Sequence, residues 1–292
     1  MGDYRRRLGD RNDGRLLRTL DPFYKIIPYI MRARSDSQNF FDDRIDIGRT
    51  EAFLRARRNK SAENIGFLHV VIAAMVRTIS QRPGLNRFIA GQRIFARNEI
   101  LISLALKKKM TGESLETAIK MKFEPTDTIY DVAAKMNKAI AENKKAETEN
   151  NADKTAKLFM LCPGLVVKFL VWFIRLLDYF GLMPKIINDI SPFHTSVFVT
   201  DLGSLGIKPI YHHLYDFGTT SLFIAFGTKQ KEKHLDDENH IVEKRSVQLR
   251  VVSDERIVDG YYYASAFRLF KSLIQHPERL ENPPESVARE MK

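Results

Sequence analysis

The last third of the chain restricts the fold more than any other part. TSVFVTDLG at 195–203, KPIYHHLYD at 208–216, SLFIAFG at 221–227 and RSVQLRVVSD at 245–254 each mass or alternate apolar side chains over one strand length and end on glycine or aspartate. Directly afterwards the period changes from two to three or four. Ala264, Phe267, Leu269, Phe270, Leu273 and Ile274 predict a closing helix from about Gly260 to Gln275. Strands joined by turns and sealed by one amphipathic helix require a sheet with helices on at least one face.

Upstream segments fit that requirement. IDIGRTEAFLRARR from Ile45 reads as a short strand entering an amphipathic helix, and Asn64 to Gln81 gives a second helix with Phe67, Val70, Val71, Ala74 and Ile79 on its apolar side. Pro83 and Gly84 stop it. RFIAGQRIFAR, then the alternation in Ile100, Ser103, Leu104, Ala105 and Leu106, then Leu115, Thr117, Ile119, Met121 and Phe123, predict an antiparallel meander. Asp127 is placed to cap a helix over Ile129 to Ile140, and the polar run Glu142 to Lys154 marks an internal seam. No glycine-rich phosphate loop precedes a helix, and strands outnumber crossover helices. The expected class is α+β with one mixed sheet.

KLFMLCPGLVVKFLVWFIRLLDYFGLMP, at 157–184, is the most apolar stretch. Pro163, Lys168, Arg175 and Asp178 interrupt it before about 20 apolar residues accumulate, which argues against a membrane span. Lys168, Arg175 and Asp178 share one helical stripe, so a helix with a narrow wet edge is expected, packed on the domain or a neighbouring subunit; membrane-surface contact is the other reading. The net charge of +11 suits nucleic acid, an anionic membrane or an acidic small molecule. Its cations are dispersed among carboxylates, with short clusters only at Arg5 to Arg7 and Lys107 to Lys109, and no zinc spacing or RNA-binding aromatic signature accompanies them. Nucleic acid is therefore not expected as a partner. The opening 14 residues alternate arginine with aspartate and read as a mobile arm without a secretory signal. A single cysteine, Cys162, excludes an internal disulfide, reads as a buried bystander thiol and suits a reducing cytoplasm.

VVSDERIVDGYYYASAFRLFKSLIQHPERL resembles the end of the catalytic domain of 2-oxo acid dehydrogenase acyltransferases, where Ser, any residue, Asp-His-Arg, two apolar residues and Asp-Gly precede a helix. FVTDLGSLGIKPI resembles that family's Phe-Thr-Ile-Ser-Asn-Leu-Gly segment, and weaker similarities lie in IDIGRTEAFLRARR and PGLN. The likeness covers most of Ile45 to Leu280 but leaves Lys157 to Phe180 without a counterpart. It implies the two-layer fold shared with chloramphenicol acetyltransferase, a mixed β-sheet flanked by helices. Residues 1–44 would be an arm and leading helix, and 45–292 the acyltransferase-like domain with a helical apolar insertion at about 157–184.

The resemblance also implies a chemistry. In that family a histidine takes a proton from the acceptor thiol or hydroxyl, which attacks the thioester of acyl-coenzyme A, and a facing hydroxyl donates to the oxyanion. Thr200 occupies the hydroxyl position, while Asp254, Arg256, Asp259 and Gly260 keep their family identities. Glu255 stands in the histidine position. A carboxylate ordinarily titrates about two units below an imidazole, roughly 3 kcal/mol less proton affinity, so Glu255 begins as a poor base. His212 and His213 offer a substitute imidazole, because consecutive strand residues face opposite sides. Asp259 resembles the aspartate that pairs with an arginine, and equally suits a helix cap. His194 and His69 are ambiguous, and no spacing of ligands predicts a metal.

Family likeness implies a homotrimer with sites at subunit boundaries, taking coenzyme A or acyl-coenzyme A as substrate. The 44 residues before Ile45 are too short for a lipoyl domain, so no covalent lipoyl group is expected. Two functions follow: a stand-alone acyltransferase with weak or altered catalysis, acting on a small-molecule acceptor, or a catalytically silent binding or assembly module with a protein partner.

Overall fold

In the computed structural model, which describes residues 6–58, 64–107, 116–145, 161–235 and 238–291, six strands form one mixed sheet in the order β2-β9-β8-β7-β5-β6. They are β2 (Gln38–Asp46), β5 (Ile100–Lys107), β6 (Glu116–Phe123), β7 (Val197–Asp201), β8 (Leu222–Leu235) and β9 (Ile241–Asp254). The short β7 is parallel to both neighbours, while the other pairings are antiparallel. Buried on both sides, β7 reads as the continuous run VFVT rather than as an alternation. A three-stranded sheet, β1 (Gly14–Leu16) to β4 (Arg93–Arg97) to β3 (Arg87–Ala90), stands beside it.

Helices α1 (Pro22–Ile30), α2 (Gly48–Arg57), α3 (Phe67–Gln81), α4 (Ile129–Lys145), α5 (Gly164–Tyr179), α6 (Lys185–Ile190) and α7 (Gly260–Gln275) complete the described residues. Along α3 every residue from His69 to Ser80 is buried, which makes it the central helix of the core. α7 buries Tyr263, Ala266, Phe270, Leu273 and Ile274, the face its periodicity predicts. Burial of a large apolar side chain contributes about 1.5–3 kcal/mol, so this one face holds the C-terminal layer down. Val197, Val199, Ile224, Leu249 and Val251 meet these helices from the sheet. Side chains of opposite parity, Phe198, Phe223 and Val252, form a second cluster with Leu214 on the other face. The architecture is the expected two-layer α+β fold with a mixed sheet.

Several local expectations change. KPIYHHLYD is no strand: both long edges of β8 are taken by β7 and β9, so residues 207–218 have no ladder to join there and cross the sheet face as a strap. Tyr211 packs edge-on to Phe40 at 5.3 Å and beneath Arg250 at 4.7 Å, and His212 stacks on Phe223 at 4.5 Å. The described part of the opening arm, from residue 6, is ordered. Its arginine and aspartate alternation resolves into local ion pairs, Arg11 to Asp13 at 2.8 Å and Arg18 to Asp10 at 3.1 Å, and β1 joins β4. Asp127 does not cap α4; it accepts from the Glu124 amide and Lys135, while Thr128 and Asp131 bond reciprocally at the helix start. β8 and β9 extend well beyond their apolar halves and pair as far as Leu235 with Ile241. β2 spans the Arg44 to Ile45 boundary, and most of the Glu142 to Lys154 seam lies outside the described residues. Cys162 is half-buried.

The strap ends at Gly218, whose φ of +88° suits glycine and where an added Cβ would lie 2.2 Å from the Phe193 carbonyl oxygen. That oxygen accepts from the amides of Thr219 and Thr220, so it has no room to withdraw. Gly218→Ala is expected to lower the stability by more than about 1 kcal/mol, read as a drop in urea midpoint at constant slope.

Candidate active site

The site begins where β9 ends. Asp254 is fully buried and Arg256 is 2% exposed, and three hydrogen bonds join them: Nε to Oδ1 at 2.8 Å, Nη2 to Oδ2 at 2.7 Å and the Arg256 amide to Oδ1 at 3.1 Å. Arg256 also donates to the carbonyls of Met31 and Arg32, Ser37 Oγ donates to Asp254 at 3.3 Å, and Arg34 Nε lies 3.7 Å from it. The Tyr263 hydroxyl from α7 donates to the Asp254 carbonyl at 2.7 Å. Both flanking side chains point inward, so the residue between them is pushed outward. Glu255 is exposed at the tip of this turn, its amide donating to the Ser37 carbonyl at 2.8 Å. Its carboxylate makes no hydrogen bond or ion pair among the described residues.

Asp259 opens α7. Its carboxylate accepts from the Tyr262 amide at 2.7 Å and from the Tyr24 hydroxyl at 3.1 Å. Of the two expected roles it therefore fills the helix cap, and it joins α1 to the motif.

Thr200 lies elsewhere. It is 6% exposed on the sheet face away from the core helices, in a transverse row of Asp42, Arg250, Ala225, Thr200, Ala105 and Ala118. Four small side chains, Ala225, Thr200, Ala105 and Ala118, lie side by side in that row, and Ala225 is as buried as Thr200. Glu255 lies five residues beyond Arg250 and two strands to the side. At ~3.3 Å per residue and ~4.8 Å per strand their backbones are roughly 19 Å apart. One chain does not bring Thr200 and Glu255 together.

The histidines divide. His212 is half-buried against Phe223, and His213 is exposed with its ring 4.8 Å from Tyr215. One does face inward, but through the strap's stacking and not through strand alternation. His69 is structural: Nδ1 accepts from the Gly66 amide at 2.9 Å, and Nε2 meets Asn137 at 3.1 Å. His194 is fully buried, with Nδ1 2.8 Å from Ser191 Oγ and Nε2 3.7 Å from Asp178.

Lys120 is a group the sequence reading passed over. It shares the Thr200 face, roughly 12 Å away by strand spacing, and donates to the carbonyls of Asn188 and Ser191. Burial pushes its amine down to about 8, which makes it a candidate proton acceptor. The only hint in the sequence is its parity with Ala118 in ETAIKMKF.

No family model matches the chain, and no curated protein matches it. Solved structures do. A probable dihydrolipoamide acetyltransferase from Listeria monocytogenes 4b F2365 superposes with a TM-score of 0.58 over 93% of this chain and 97% of its own, at 14% identity. The dihydrolipoamide acetyltransferase of Azotobacter vinelandii gives 0.59 over 88% and 87%, at 11% identity. A chloramphenicol acetyltransferase gives 0.55 over 90% and 98%, at 10% identity. This chain has the chloramphenicol acetyltransferase-like fold. Identities this low show shared architecture alone. Within this chloramphenicol acetyltransferase-like fold, α5 is anchored at its end: Arg11 bonds the Asp178 carboxylate and carbonyl, each at 2.5 Å. Asp178 thus turns inward and leaves Lys168 and Arg175 exposed on the expected wet edge.

Two stability predictions follow from these buried groups. Asp254→Asn leaves Arg256 and Arg34 buried without their counter-charge, and is expected to cost about 3 kcal/mol or more in denaturant titration. Burial holds the His194 imidazole below its ordinary value of 6.5, although Asp178 opposes this; Arg97 and Lys120 add to the depression. Burial would raise the Asp178 carboxyl, but His194 and Arg11 outweigh it and hold the group well below its ordinary 3.8. Both groups bind protons more weakly folded than unfolded, so both stabilise at high pH. The His194 contribution is complete above pH 6.5 and drains as pH falls below it; the Asp178 contribution drains below 3.8. The melting temperature is expected to fall as pH drops from 7 to 5 in the native chain, and to fall less steeply in His194→Gln.

Proposed function

We propose that the chain forms a homotrimer that transfers an acyl group from acyl-coenzyme A to an acceptor, at sites where Glu255 of one subunit faces the Thr200-bearing sheet face of the next. The separation of these residues carries this reading. Roughly 19 Å divides them within one chain, and Glu255 stands exposed with no hydrogen bond or ion pair to its carboxylate among the described residues. A site using both draws them from two chains. The Azotobacter vinelandii enzyme was studied for the roles of a serine, a histidine and an asparagine in its catalytic mechanism, and its histidine and asparagine are separated by the interval between Glu255 and Asp259. Read onto this chain, the three positions are Thr200, Glu255 and Asp259.

In this reading the acceptor loses its proton to the base as it attacks the thioester carbonyl, and the tetrahedral oxyanion accepts from the Thr200 hydroxyl. Collapse expels the coenzyme A thiolate, which takes the proton back. Glu255 is the base; His212 or His213 is the substitute. A carboxylate where an imidazole would serve better also supports a second reading, a silent trimer that binds partners without turnover.

Thiol release from acetyl- and longer acyl-coenzyme A, measured against amine, hydroxyl and thiol acceptors, separates the two. For an acyltransferase, Glu255→Gln abolishes turnover, and Thr200→Ala lowers kcat by about 10²–10³. Glu255→His raises turnover by up to about 10²–10⁴, the worth of a matched general base. No turnover, no calorimetric binding of coenzyme A and no gain from Glu255→His would leave the silent module standing. A monomer in sedimentation at assay concentration contradicts both readings.

A further inference from the structure

Helix α5 is inside out. Leu165, Phe169, Trp172, Leu176 and Tyr179 recur at intervals of four and three along one side, and all are exposed, Leu165 to 83% and Trp172 to 55%. Val167, Leu170, Ile174 and Leu177 occupy the opposite side and are half-buried, and no residue of the helix is fully buried. A surface helix of a globular domain ordinarily shows water its polar side. Helix α1 repeats the arrangement, with Phe23, Ile26, Tyr29 and Ile30 exposed and Pro28 buried. The two helices border one cavity of about 570 Å³, lined by Tyr29 and by Tyr179 to Leu182.

The polar groups around this surface have one sign. Exposed Arg6, Arg7 and Arg93 line the same cavity, and exposed Lys168 and Arg175, seven residues apart, edge the apolar side of α5. The nearby carboxylates are already engaged: Asp13 and Asp178 with Arg11, and Asp10 with Arg18.

We propose that this face docks the protein on an anionic phospholipid bilayer, with α1 and α5 lying in the plane of the interface. Apolar and aromatic side chains bordered by arginine and lysine are what that boundary accommodates, and Trp172 would sit at the depth tryptophan favours. A two-fold contact of this face with itself fits less well, because it would set these cations against themselves. Among the described residues no helix is long and apolar enough to cross a membrane, so the attachment is to the surface. This inference does not draw on the acyl-transfer reading.

Trp172 is the only tryptophan in the chain, so its fluorescence reports this face alone. The full chain is titrated with phosphatidylcholine vesicles containing about 30% phosphatidylglycerol, and with phosphatidylcholine alone. Docking predicts a blue shift and quenching by brominated acyl chains with the anionic vesicles, reversed by salt. Lys168→Glu with Arg175→Glu weakens binding by about tenfold or more, and Phe169→Glu removes the shift. All three positions are exposed, and circular dichroism checks that the variants fold. Unchanged emission on anionic vesicles overturns the proposal. So does equal binding to both vesicles, or a blue shift that grows with protein concentration without lipid, which would mark a second copy as the occupant.

Discussion

The ion pair between Asp254 and Arg256 is the constraint on which the candidate site depends. Removing two charges from water costs several kcal/mol each, and their mutual attraction offsets this only where the remaining donors and acceptors are also satisfied. Here they are met by Ser37 and by the carbonyls of Met31 and Arg32, while Arg34 adds a second positive charge 3.7 Å from the carboxylate. These partners belong to the segment between α1 and β2, so the leading part of the chain is built into the motif at the end of β9. The pair then dictates where its neighbours point. With residues 254 and 256 committed inward, residue 255 is presented to the outside whatever its identity.

A second buried polar group sets the position of α5. α5 buries none of its residues fully, so apolar packing alone does not fix it. Asp178 does, through Arg11 on one side and His194 on the other. Arg11 is in turn held by Asp13 and lies over the rings of Phe88 and Phe95 at 5.4 and 5.7 Å. The arm, the small sheet and the helix are thereby one polar assembly. Its outer surface is free to be apolar because its attachment is not.

What the sequence revealed follows from how local each signal is. The alternation in RSVQLRVVSD, the aspartate cap and the three-to-four period of α7 lie within about 30 residues, and the structure repeats them almost unchanged. KPIYHHLYD carries the same alternation but forms no ladder, because pairing requires a free edge and β8 has none; that depends on residues far away in sequence. Alternating arginine and aspartate look alike whether solvated or paired, so the ordered arm was invisible until Arg11 found Asp178. Lys120 was missed for a related reason: its amine is engaged by the carbonyls of Asn188 and Ser191, 68 and 71 residues away in sequence. Thr200 and Glu255 were legible as types, but not as lying on opposite sides of a gap that one chain does not close.

That gap bears on how a carboxylate could serve where an imidazole is expected. A base is made by its surroundings, because removing a carboxylate from water favours its protonated form and increases its hold on a proton. In the proposed trimer, the neighbouring subunit's sheet face around Ala225, Thr200, Ala105 and Ala118 would cover the side chain of Glu255. In that trimer, the surroundings of residue 255 would be a property of the assembly rather than of the fold. An imidazole, which ordinarily titrates near neutrality, would need far less help, so under that proposal the carboxylate would tie the chemistry more closely to subunit contact.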